Sequence, residues 1–235
     1  ASIYFDGHLT WSPDSSKIAF IRRLTHNYDS FLTPHEVPLS DPWEIRVSDL
    51  AKGSTHCALK STDSDSYEYV ALKWIDNENL VFASETDGWR HLYAVPAGGG
   101  QAKLLTSGPF EVEQFKVDSQ LKKVFFNSND GDIDRRHIWS VGLDGKKTAE
   151  TTGESIEWNP VLTGDKKFLA FIGSSAQLPA QVYVKPLAGG KPVKLAASSL
   201  PEKFPKNLVV PQQVIFNAED GWSIHGQLFM PPKEF

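Results

Sequence analysis

The 235-residue sequence contains one cysteine, Cys57, and that scarcity removes two chemistries at once. No intrachain disulfide framework can form, and no paired-cysteine knuckle can hold a structural metal. A basic block is missing too: the formal charge is −5, with acids and bases interspersed. Nucleic acid and anionic membrane surfaces are therefore disfavoured as partners. No apolar run approaches the roughly 18 residues that span a bilayer. The start, ASIYFDGHLTW, lacks the basic opening and apolar middle of a signal peptide and reads like the inside of a fold. The expectation is a segment that begins within a longer protein. Its compartment is not fixed by one cysteine, and a periplasmic or secreted location is preferred to a cytoplasmic one. The seven histidines (8, 26, 35, 56, 91, 137 and 225) show no HxxxH or HxH spacing. Zinc has no support, and nothing else calls for a cofactor.

What the chain does have is apolar and aromatic content, 40% and 11%, enough to build a core. These residues recur with a period. WSPDSSKIAFI (11–21), WIDNENLVFAS (74–84), FKVDSQLKKVFFNS (115–128) and NPVLTGDKKFLAFIGS (159–174) are four versions of one segment. Each is followed by a second run with a central aromatic: PWEIRVSDL, RHLYAVPAGG, RHIWSVGLDG and AQVYVKPLAGG. Phe82, Phe126 and Phe171 stand 44 and 45 residues apart, and Tyr93, Trp139 and Tyr183 stand 46 and 44 apart. Each unit reads as four short strands. An apolar pair is followed by an alternating strand (Leu92 and Ala94 against Tyr93 and Val95). A glycine-rich hairpin and a short outer strand close the unit. A repeated four-stranded antiparallel unit of about 44 residues is the signature of a β-propeller blade. The fold expected is all-β: a partial propeller of about four to five blades over residues 1–210, followed by a segment over 211–235. No amphipathic helix is visible.

The stretch TDGWRHLYAVPAGGG (86–100) has an echo in EDGWSIHGQLFMPP (219–232). Both carry Asp-Gly-Trp followed by a histidine. Asp87-Gly88 and Asp220-Gly221 each separate two β-type runs, where a two-residue hairpin favours Asp-Gly because it needs positive φ. Gly221-Trp222-Ser223 also opens a serine-hydrolase signature, G-x-S-x-G. However, His225 occupies the place of the second glycine, and no helix-forming segment follows. Ser223 is therefore read as a decoy. Asn127–Arg136 resembles a calcium loop in composition, but Gly131 is fifth instead of sixth, and Ile138 stands where the bidentate Glu belongs. It is expected to be a hairpin tip with solvated acids. His91 and His137 follow arginines at matching places in successive units, which points to structural hydrogen bonding at a strand start. The loop over 25–42 departs from the repeat. Its His26, Tyr28, Asp29, His35 and Glu36 suit a polar ligand or an entrance and are the candidate substrate-entrance residues.

WSPDSSKIAFIRR resembles the W-S-P-D-G-x-x-I-A-F repeat of TolB-type propellers and of the propeller domains of prolyl oligopeptidase family serine peptidases. TDGWRHLYAVPAGGGQAKLLTSG is similar to the D-G-x-x-H-L-Y blade of the dipeptidyl-peptidase-like branch. VPQQVIFNAEDGWSIHGQLFMPP resembles the segment where such peptidases leave the propeller for an α/β-hydrolase domain, roughly F-x-x-x-D-G-x-x-I-x-G-x-L-x-x-P. The resemblance implies the C-terminal part of a larger propeller, the substrate-gating portion of a peptide-cleaving serine peptidase. The Ser, Asp and His of that family would lie in the hydrolase domain, so no catalytic residue is assigned here and the chain alone is expected to be inactive. The paired glutamates with which dipeptidyl peptidases hold a substrate amine are not recognisable. The implied partners are a peptide substrate, the hydrolase domain and, through unpaired sheet edges, a second copy. Two rivals remain: a free-standing TolB-like interaction propeller, and a propeller enzyme with a central metal.

Overall fold

The computed structural model describes residues 3–25, 43–61, 71–195, 200–205 and 207–231. Four antiparallel four-stranded sheets follow one another along the chain. The first comprises β1 (Ile3–Trp11), β2 (Lys17–Thr25), β3 (Trp43–Asp49) and β4 (Ser54–Lys60). The second comprises β5 (Leu72–Trp74), β6 (Asn79–Ser84), β7 (His91–Pro96) and β8 (Lys103–Leu104). The third comprises β9 (Val112–Asp118), β10 (Lys123–Ser128), β11 (His137–Gly142) and β12 (Lys147–Ala149). The fourth comprises β13 (Ile156–Leu162), β14 (Phe168–Ser175), β15 (Leu178–Pro186) and β16 (Val193–Lys194). A two-stranded hairpin, β17 (Gln212–Asn217) and β18 (Ser223–Leu228), completes the described chain. No helix occurs among the described residues. First strands of neighbouring sheets touch, β1 with β5 and β9 with β13, so they line the inner edge. This is a partial β-propeller of four blades, with the arrangement that the 44-residue period requires.

Apolar side chains between the sheets form the core. Ala19, Ile21, Trp43, Ile45 and Val47 of blade 1 meet Leu72, Trp74, Leu80 and Phe82 of blade 2. Val81, Ala83, Leu92 and Ala94 on the other face of blade 2 meet Phe110, Val124 and Phe126 of blade 3. Each fully buried Val, Leu, Ile or Phe among them is worth about 1.5–3 kcal/mol. Strands β6 and β10 are covered on both faces, which explains their unbroken apolar runs. Two readings of the sequence need adjustment. Strand β7 is not half-covered: apart from Tyr93 and the terminal Pro96 it is buried throughout, because blades 1 and 3 cover it from either side. Strand β14 alternates, with Leu169 and Phe171 inward and Phe168 exposed, because the described chain puts a sheet on one face only.

Turn chemistry recurs with the blades. In the β1–β2 hairpin the Asp14 carboxylate accepts the Ser12 hydroxyl at 2.7 Å and the Ser16 amide at 3.0 Å. Asp118 and Asp165 hold the amides of Gln120 and Lys167 in the corresponding turns of blades 3 and 4. The Asp-Gly turns are not the expected two-residue hairpins. Six residues, 85–90, join β6 to β7, and five, 218–222, join β17 to β18. In both, a turn closes from the Gly88 or Gly221 amide to the carbonyl three residues earlier, with positive φ only at the glycine (86° and 88°). A left-handed glycine after an ordinary turn gives the longer hairpins their twist, so Asp87 and Asp220 stay in common backbone regions.

Candidate functional site

In blades 2, 3 and 4 the connection between the second and third strands emerges on one rim of the partial ring. These connections are 85–90, 129–136 and 176–177. The candidate entrance residues His26, Tyr28, Asp29, His35 and Glu36 all lie outside the described residues. The rim itself is built from polar clusters at the starts of the inner strands. Glu113 of β9 accepts the Asn127 side-chain amide at 2.6 Å and the Arg136 guanidinium. The Arg90 guanidinium donates to the Glu113 carbonyl at 2.8 Å, and its own amide donates to the Glu111 carboxylate at 3.1 Å. Asn129 in turn accepts the Glu111 amide at 2.7 Å. The Glu113–Arg136 pair is more than one-third exposed, so it presents a charged surface to the inner mouth.

Behind the rim sit the two repeated histidines. His91 is fully buried, with Nδ1 3.2 Å from the Thr106 hydroxyl and Nε2 3.1 Å from the Gly108 carbonyl. The His137 ring lies 2.7 Å from the Glu157 carboxylate, which also accepts the Thr151 hydroxyl at 3.0 Å. Thr106 and Thr151 then each take the amide of the residue after the histidine, Leu92 and Ile138. His91 fastens the start of the third strand to the closing L-T-x-G segment. His137 fastens it to Glu157 of the next blade, which in turn holds Thr151 of the T-T-G segment. His91 has no open side, and His137 is largely covered, so both act as structural donors or acceptors.

The terminal hairpin docks on this same rim. Asp134 accepts from the Gln213 side chain, and its Oδ2 lies 2.9 Å from His225 Nδ1. The His225 contact holds the Asp134 carboxyl below its ordinary value; partial burial opposes this, and Gln213 reinforces it. The Gln177 side-chain amide reaches the Leu208 carbonyl at 3.3 Å, tying the same exit segment to blade 4. The acids of the 127–136 loop are therefore not simply solvated. Asp130 pairs with Lys147, Asp132 accepts the Asp134 amide, and Asp134 holds the hairpin. Ser223 opens a β-strand in this hairpin, opposite Asn217, without the strand-to-helix elbow a hydrolase serine needs. Among the described residues no cluster of three His, Cys, Asp or Glu side chains could hold a metal ion.

Sequence reasoning missed Glu113, Asp134 and the threonine pair. The period could have found some of them: Glu113 and Glu157 stand 44 residues apart, and Thr106 and Thr151 stand 45 apart. Asp134 carried no such signal, because its partner His225 is 91 residues away.

Comparison with known proteins agrees with this architecture. Residues 40–180 match the family model described as the dipeptidyl peptidase IV N-terminal region. Dipeptidyl peptidase 4 of Arthroderma otae is 37% identical over 87 residues, which is 31% of this chain and 11% of that protein. The Trichophyton rubrum protein of the same name is 36% identical over 90 residues, 36% of this chain and 12% of that one. Among solved structures, a puromycin hydrolase superposes with a TM-score of 0.68 at 18% identity, covering 98% of this chain and 35% of that one. A Mycobacterium tuberculosis puromycin-hydrolyzing peptidase gives a TM-score of 0.67 at 17% identity, covering 97% and 34%. At those identities the structures speak for the fold. The chain thus spans about a tenth of its curated relatives and about a third of its structural neighbours. With a family model covering more than half its length, the chain belongs to the dipeptidyl peptidase IV N-terminal region family.

Proposed function

We propose that this chain is the substrate-gating, non-catalytic propeller portion of a serine peptidase that acts on peptides, as a dipeptidyl peptidase or an oligopeptidase. The observation that carries the reading is the terminal hairpin. It is anchored by Asp134 to the rim that bears the inter-strand loops, and it leaves apolar side chains uncovered. Phe216 is 58% exposed and Trp222 74%, and Phe216 stands beside Ile224 across the ladder. Exposed apolar side chains this dense on so small an element suit a surface that a further domain covers. The hairpin fits the start of an α/β-hydrolase domain seated on that rim. The ring then closes the catalytic chamber, admits flexible chains and keeps bulk water and folded proteins out. Acyl transfer to serine would take place in the hydrolase domain, with an oxyanion hole stabilising the tetrahedral intermediate. The polar mouth around Glu113 and Arg136 would meet the peptide before the chemistry.

The gene beyond Phe235 tests this directly. Some 200–260 further codons carrying G-x-S-x-G, then Asp, then His are expected, on the size and motif order of an α/β-hydrolase domain. The full product should release p-nitroaniline from dipeptidyl or longer peptide anilides, while residues 1–235 alone should not. A stop codon a few residues after Phe235 would sink the proposal and leave a free-standing binding propeller. We further propose that the isolated chain self-associates through the uncovered faces of blades 1 and 4.

A further inference from the structure

The seams between the blades are not alike. Twelve buried apolar residues close the seam between blades 1 and 2, and eleven close that between blades 2 and 3. Between blades 3 and 4 there are four: Phe125, Ile138, Leu169 and Phe171. On the side away from the rim, this third seam opens into two grooves of about 380 Å³ each, one on either side of Phe125. Charge takes the place of the missing apolar contact. Lys166 of the β13–β14 turn reaches Asp118 at 2.6 Å beside the inner groove. Lys185 of β15 lies 3.3 Å from the Glu150 carboxylate beside the outer groove, and both side chains are only 9% exposed. His137 meets Glu157 at the rim. The inner strand β13 packs against β9, β10 and β11 of blade 3, so blade 4 is attached along that strand.

We propose that the seam between blades 3 and 4 is a joint, at which blade 4 swings on its inner strand while blades 1–3 move as one body. Apolar burial does most to hold packed sheets together, and an ion pair taken out of water returns little beyond its desolvation cost. The seam with one-third of the buried apolar residues is therefore the first to open. The exit segment spans this joint, with Asp134 of blade 3 at one anchor and Gln177 of blade 4 at the other. Swinging blade 4 consequently turns the hairpin against the rim. The joint belongs to this chain whether or not a peptidase domain follows it.

Native-state hydrogen exchange on the full chain, read by mass spectrometry at rising denaturant, tests the joint. Amides of β14 and β15 should share one opening at lower denaturant than those of β2, β6 and β10. Replacing Lys185→Met leaves the Glu150 carboxylate buried without its cation, and should speed exchange in β14 and β15 about tenfold while leaving β6 and β7 unchanged. The double replacement Lys185→Met with Glu150→Leu should restore slow exchange, because an apolar pair refills the seam. If blades 3 and 4 open together, the joint does not exist. If blades 1 and 4 open equally early, the effect is fraying of both ends, and the proposal also fails.

Discussion

Asp14 closes the first hairpin by accepting from Ser12 and from both the amide and the hydroxyl of Ser16. Those hydrogen bonds, that from Ser12 foremost, lower its carboxyl from 3.8 to about 2. A depressed folded value means that its contribution is complete above the unfolded value and disappears as pH falls from about 4 towards 2. Carbon-detected NMR titration should place Asp14 near 2, and Ser12→Ala should move it up towards the ordinary carboxylate range. An unmoved value in the variant would show that Ser12 does not set it. The next residue carries a cost. Ser15 occupies a left-handed conformation, with φ of 61°, at the position where the family repeat W-S-P-D-G has glycine. An L residue there gives up about 1 kcal/mol, and glycine recovers part of that after its own entropy loss. Ser15→Gly should raise stability by about 0.5 kcal/mol in urea unfolding, with no change in m value. A loss of stability would contradict the strain. The W-S-P-D-G motif holds both the aspartate and the strained position, but the left-handed backbone at Ser15 is seen only in the structure.

The strands were legible for the same reason as the turns. A side chain repeated at one period must meet the same surroundings in each blade, so Phe82, Phe126 and Phe171 announced their strands. What the period could not show was how much each face is covered, since that depends on neighbouring sheets. Strand β7 departs from its alternating pattern on that account. The exit hairpin was legible as a hairpin, but its docking depends on partners that are close only after folding. Its two strands form a unit that is marginal alone, so its order rests on Asp134 at one end and Gln177 at the other. Asp134→Ala removes the acceptor for Gln213 and His225 together. Exchange of amides in β17 and β18 should then rise about 5–30-fold, corresponding to about 1–2 kcal/mol, while the blades keep their protection. Acid should mimic the substitution. The Asp134 carboxyl is held low, so docking is complete above its unfolded value and fails as pH falls through the folded one. A hairpin whose protection does not change as the Asp134 carboxyl itself titrates, followed by NMR in the same samples, would show that the clasp is ornamental.

At the scale of the whole molecule, stability depends on stacking, and the described chain ends in two uncovered faces. On β1 the side chains of Leu9 and Trp11 are 69% and 56% exposed, and on blade 4 Val182 and Val193 are 45% and 62% exposed. Within the chain, faces of this kind are buried by the next blade. The two ends are different surfaces, so a contact between them is head-to-tail. Such contacts either close into a ring or continue into a filament. Four blades in each of two copies make eight, at the upper end of the usual propeller range. Closure is therefore open to a dimer, with the blade 4 face of each copy on the blade 1 face of the other. Sedimentation velocity at tens of micromolar should show a species of twice the 26.1 kDa chain mass and no ladder of larger ones. Trp11→Lys should return it to monomer, because a charge cannot be buried unpaired in that seam, and Val182→Lys at the other end should do the same. A wild-type chain that stays monomeric at 100 micromolar, on the order of the strongest test a weak interface requires, would show that the end faces do not associate.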